Sequence, residues 1–119
     1  MQIKRIHSTL FQVNDLKRTA DFYKKLGFEV SENTDALRII FGDYRLAFMV
    51  DKKEESNSSL QKGVGLHFYF EVENANDFFK TIKEKGINVE NEPENKPWEK
   101  CELTVSDPDG YKLVFFSKI

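Results

Sequence analysis

Apolar and polar positions along the chain alternate in short stretches, interrupted twice by a longer period. Period-two alternation predicts strands at about 3–13, 28–32, 36–41, 44–50, 65–72, 87–91, 100–106 and 111–117. The two interruptions keep a helical period and predict helices at about 15–26 and 75–85. In DLKRTADFYKKL, Leu16, Ala20, Tyr23 and Leu26 share one face, with Asn14 placed to cap the start. Gly27 follows directly, where a helix commonly ends in a left-handed residue. In ANDFFKTIKEK the face to be buried is Phe78, Phe79 and Ile82, and Gly86 stops the helix in the same way. Between the halves, DKKEESNSSLQKG is polar and rich in Ser and Lys, which predicts a linker over 51–63.

The chain also repeats itself. At an offset of 59, Phe11, Val13, Lys24, Gly27 and Val30 fall on Phe70, Val72, Lys83, Gly86 and Val89. At an offset of 67, YRLAFM (44–49) falls on YKLVFF (111–116). The extra 8 residues fit an insertion around NEPENKPW in the second half. Together the offsets keep element order, helix length and stop glycines, which spells βαβββ twice. A ferredoxin-like fold would need βαββαβ, with fewer strands after each helix. The expected fold is therefore α+β: tandem βαβββ modules, about 1–50 and 64–119, within a single domain 1–119. Their curved mixed sheets would form a half-barrel cleft, with helices on the outer face and the inner face left for a ligand.

Composition narrows the function classes. The 119 residues carry a net charge of −2 with both signs interspersed, so nothing points to nucleic acid or an anionic membrane. No apolar run approaches the roughly 18 residues of a membrane span. The start, MQIKRIHSTLFQV, alternates rather than forming the continuous apolar stretch of a signal peptide. The single cysteine excludes an internal disulfide and fits a reducing cytoplasm, the expected location. It lies in the alternating set Cys101, Leu103, Val105 and reads as a packed core thiol. The 11 Phe are many for this length and supply area for packing or for a pocket. No Gly-rich phosphate loop, CxxC pair or Ser–His–Asp pattern is present.

Three segments carry a family resemblance: FQVNDLKRTADFYKKLGFEV, GLHFYFEVENANDFFKTIKEKGINV and PWEKCELTVSDPDGYKLVFF. In the last, Pro108 presets φ and Gly110 takes the left-handed position of a bulged hairpin. With these the chain resembles the vicinal oxygen chelate superfamily, which includes glyoxalase I, extradiol dioxygenases and bleomycin-resistance proteins. The resemblance covers nearly the whole chain, but the superfold hosts many activities.

In the metal-dependent members the cation is held by inward-facing strand positions. The resemblance puts two of them at His67 and Val114, and the internal offsets give their mates, Ser8 and Ala47. A divalent cation needs at least three protein ligands from His, Glu, Asp or Cys, so this degenerate set implies no metal cofactor. His7 and Glu71 are the nearest rescues; alternation turns His7 to the opposite face, and Glu71 with His67 makes only two ligands. Alternation assigns Leu10, Gln12, Arg45, Met49, Tyr69, Glu71, Lys112 and Phe116 to the inner surface, with Trp98 at the mouth. Candidate ligand-binding residues are thus His67, Tyr69, Glu71, Arg45, Gln12, Trp98, Lys112 and Phe116.

Two classes of function follow. One is a metal-independent small-molecule binding protein resembling bleomycin-resistance proteins, which sequester a drug or metabolite. The other is a glyoxalase- or dioxygenase-like enzyme, metal-dependent through displaced ligands or metal-free using His67. The resemblance also implies a homodimer, since short members pair their modules between two chains.

Overall fold

The computed structural model describes residues 2–50 and 62–119. Contacts divide the chain into two compact units, Met1–Leu60 and Gln61–Ile119. The linker expected over 51–63 lies outside the described residues except for its last two positions.

The first unit runs β1 (Ser8–Gln12), α1 (Leu16–Leu26), β2 (Ser31–Glu32), β3 (Leu37–Phe41) and β4 (Tyr44–Met49). Its sheet has the order β1-β4-β3-β2, with β1 parallel to β4 and the other pairs antiparallel. Helix α1 forms because Ala20, Tyr23 and Leu26 recur at helical spacing and bury against the sheet. The Tyr23 and Phe11 rings each lie 4.8 Å from Phe48. Gly27 closes the helix at φ 105°, donating its N–H back into the last turn. The cap at the other end corrects the sequence reading. Asp15, not Asn14, is extended at φ −150° and accepts the Arg18 N–H at 3.1 Å. The first strand is also shorter than expected, starting at Ser8 rather than residue 3, and residues 2–7 are exposed.

The second unit runs β5 (His67–Glu71), α2 (Ala75–Glu84), β6 (Asn91–Asn95), β7 (Lys100–Ser106) and β8 (Lys112–Lys118). Its sheet order, β5-β8-β7-β6, repeats the first unit's with β5 parallel to β8. Asn74 caps α2 by accepting the Asp77 N–H at 3.0 Å. The helix buries Ala75 and Ile82 fully, while Phe78 and Phe79 are half-buried, less than the sequence reading expected. Phe78 still stacks 4.5 Å from Phe115. Leu103, Val105 and Leu113 are completely buried, and Cys101 is buried on the same face. The largest correction is β6, expected at 87–91 and found over Asn91–Asn95, inside the segment read as an insertion. It is an edge strand with a register shift between Asn91 and Glu94, and it carries Pro93, which edges tolerate.

The DPDG turn closes β7 onto β8. Asp107 is buried, and its carboxylate accepts the backbone N–H groups of Asp109 and Tyr111 at 2.9 Å each. Gly110 takes φ 97°, which a residue with a Cβ rarely adopts.

Candidate functional site on the open sheet faces

Side chains directly opposite each other in a ladder share a face, so the registers sort the residues. In the second unit His67, Tyr69 and Glu71 stand beside Lys112, Val114 and Phe116. Strand β8 passes that face on to Ser106, Thr104 and Glu102 of β7. The opposite face, with Leu113, Phe115, Leu103 and Val105, is the one under α2. Five of the expected binding residues (His67, Tyr69, Glu71, Lys112, Phe116) thus lie on one open face.

At one end of this face Lys112 is the hub. Its ammonium donates to the Glu90 carboxylate and to Ser106 Oγ at 2.8 Å, and Ser106 in turn donates to Glu90. These two hydrogen bonds, Lys112's first, hold the Glu90 carboxyl below its ordinary range against the opposing effect of burial. The field of His67 acts on Glu90 in the same direction.

The other end is aromatic. The Phe116 ring has Tyr69 at 6.1 Å and the Lys100 ammonium 4.5 Å from its centroid. Glu71 pairs loosely with Lys118 at 4.0 Å. Trp98 lies in the turn between β6 and β7, where Glu99 adopts φ 62° and Lys96 N–H bonds the Lys100 carbonyl at 2.8 Å. That turn lets the Trp98 indole N–H reach forward to the Glu102 carboxylate at 2.5 Å. Trp98 is 55% exposed while Glu102 is only 4% exposed.

In the first unit the same arithmetic puts Ser8, Leu10 and Gln12 beside Arg45, Ala47 and Met49. Leu10, Met49 and Ile40, the β3 partner of Arg45, are large exposed apolar residues. Arg45 is half-buried, and its Nε lies buried without a hydrogen-bond partner among the described residues. His7 is exposed, its Nδ1 3.1 Å from Ser8 Oγ.

Glu90, Ser106 and Glu102 were not singled out from the sequence. The alternation of Cys101, Leu103 and Val105 does send Glu102 to the opposite face, and that was the available signal. Glu90 gave none, standing before a strand whose register was read differently.

The metal positions of the resemblance carry Ser8, Ala47, His67 and Val114. Ala47 and Val114 have no lone pair to offer, and a neutral serine hydroxyl is a poor ligand for zinc, iron or manganese. Val114 is moreover 4% exposed, packed beside Tyr69 and Thr104. Among the described residues no group of three His, Cys, Asp or Glu side chains could hold a metal ion. The donors at these four positions do not fit a divalent cation.

Duplicated βαβββ units, each with a helix on one face and ligand-type side chains on the other, define a class that comparison identifies. The chain belongs to the Glyoxalase/Bleomycin resistance protein/Dioxygenase superfamily, whose family model matches residues 5–115. Solved structures share the fold. An antibiotic binding protein from Streptomyces sp. CB03234 aligns with TM-score 0.76 and 20% identity, over 100% of this chain and 99% of that one. A lactoylglutathione lyase from Agrobacterium tumefaciens aligns with TM-score 0.71 and 17% identity, over 98% and 96%. A superfamily member from Sphaerobacter thermophilus DSM 20745 aligns with TM-score 0.76 and 22% identity, over 99% and 100%. No curated protein sequence matches the chain. Among the described residues no helix is long and apolar enough to cross a membrane.

Proposed function

We propose that this protein binds a small organic molecule without a metal and sequesters it without chemistry. The observation that carries the reading is the open face of the second sheet. There Tyr69, Phe116 and Trp98 supply ring surface beside the polar heads of His67, Lys112 and Glu102, while the metal position holds Val114. Apolar walls with a few placed polar groups are the usual design of a ligand site. In the first unit, Arg45 and Gln12 share one sheet face and remain candidate ligand contacts there. The likeness in fold to an antibiotic binding protein supports it. We include a homodimer in the proposal: β1 and β5 are edge strands of their sheets, and unprotected edges invite pairing.

The test is to extract the protein as isolated and weigh any co-purified compound, then screen a compound library by thermal shift. We expect a bound molecule or library hits, substoichiometric metal after dialysis, and no glyoxalase or dioxygenase turnover. A stoichiometric cation on His67, or turnover of either kind, would overturn the reading in favour of an enzyme. Light scattering at micromolar concentration tests the dimer, and a monomer mass counts against it.

A further inference from the structure

We propose that Glu102 anchors a ligand bearing a positively charged nitrogen next to a flat apolar group. The inference rests on the binding-protein reading and narrows the class of its ligand. Glu102 faces away from α2, yet it is 4% exposed. A carboxylate can accept about four hydrogen bonds, and burying one without a matching charge is costly. Here a single donor, the Trp98 indole N–H, reaches one of its oxygens at 2.5 Å. No lysine or arginine among the described residues forms an ion pair with it.

The lysines around it are engaged elsewhere. Lys112 is taken by Glu90 and Ser106, Lys118 lies 4.0 Å from Glu71, and Lys96 lies 3.3 Å from Glu94. Lys100, two residues before Glu102, has its ammonium over the Phe116 ring instead. Phe116 is the ladder partner of Glu102, so this ring beside the carboxylate already holds a cation. Glu94, the partner on the other side, is already matched by Lys96, so Glu102 is the unpaired carboxylate of the two. A ligand ammonium would gain from the ring face of Trp98 and from Glu102 together, whereas an anion would lose on both counts.

Three probes of similar size separate the possibilities: benzyltrimethylammonium, benzyl alcohol and phenylacetate. Each is titrated into the full chain, followed by Trp98 fluorescence and by amide shifts of isotope-labelled protein. We expect the cation to bind about tenfold more tightly than the alcohol, and phenylacetate more weakly than either. Glu102→Gln keeps an acceptor for the Trp98 indole but removes the charge, so it should erase the preference while leaving alcohol binding in place. A preference that persists unchanged in Glu102→Gln, or equal binding of all three probes to the wild type, overturns the assignment. A second readout does not depend on the variant folding: Overhauser contacts from the probe's methyl groups should fall on Trp98 and Phe116, and contacts elsewhere refute the site. If none of the three binds while other library compounds do, the binding-protein reading stands and the cation assignment falls. If compounds of no charge class bind, both fall.

Discussion

His67 and Lys112 are partners in the parallel β5–β8 ladder, but the lysine ammonium is spent on Glu90 and Ser106 rather than on the imidazole side. The imidazole therefore faces the open side of the sheet beside a cation whose charge is already matched.

This pairing has a pH signature. Lys112 holds the Glu90 carboxyl below its ordinary value of 4.5, so the folded form binds that proton less readily than the unfolded chain. The resulting stability is present in full above about pH 4.5 and is lost as pH falls through the lower folded value. We expect Glu90→Gln to be modestly less stable than wild type at pH 7, because the pair is partly exposed and screened. The gap should narrow in urea titrations as pH falls below the ordinary carboxyl value of 4.5. Parallel acid limbs for the two proteins would show that the pair contributes nothing.

The aromatic end of the face should report on binding. Trp98→Ala and Tyr69→Ala are each expected to weaken a bound ligand by about 1–3 kcal/mol if the rings stack on it. Calorimetry with any compound recovered from the screen measures this. Wild-type affinity in both variants would mean that the ligand sits elsewhere.

Val114 tests how far the chain has moved from metal chemistry. At 4% exposure a carboxylate there would be buried beside Tyr69 and Thr104. We expect Val114→Glu to destabilise the fold by on the order of 3 kcal/mol. Added Zn²⁺ should not restore the loss, and wild type should show no thermal shift with Zn²⁺, Ni²⁺ or Mn²⁺. Recovery of the variant by any of these ions would reveal a donor set that the ladder registers do not contain.

Gly63 makes a prediction about packing. A Cβ there would come 2.4 Å from the Cδ1 atom of Tyr111, and the backbone sits at φ +71°. Tyr111 is buried at the start of β8's approach, so its ring has little freedom to withdraw. Gly63→Ala should cost about 1–3 kcal/mol in denaturant titrations. A neutral result would mean that residues 62–66 shift without loss.

Much of the frame was legible because it is repeated. Offsets of 59 and 67 carry Ser8 to His67 and Arg45 to Lys112, and the ladders pair Ser8 with Arg45 and His67 with Lys112. Alternation separated the two faces at most positions: Leu10, Met49 and Tyr69, assigned to the inner surface, are exposed, whereas Phe11, Leu46, Phe48, Leu113 and Phe115 between them are buried, and Val114 of the inner set is buried too. Strand β6 escaped because a bulge interrupts its period between Asn91 and Glu94. Asp15 and Asn14 are both capping residue types, and only the backbone angle distinguishes which one caps. The hydrogen bond to Glu102 comes from an indole four residues earlier reaching forward over a turn, and no periodicity records such a reach.

The parallel pairing of the first and last strands also governs how such units can be joined. In the second unit the chain enters β5 at His67, level with Lys112, and leaves β8 at Lys118 on the opposite rim of the sheet. Splicing the end of one unit to its own beginning would mean recrossing the sheet, roughly 20 Å or about six extended residues. Circular permutants of a single unit therefore call for a connector of at least that length.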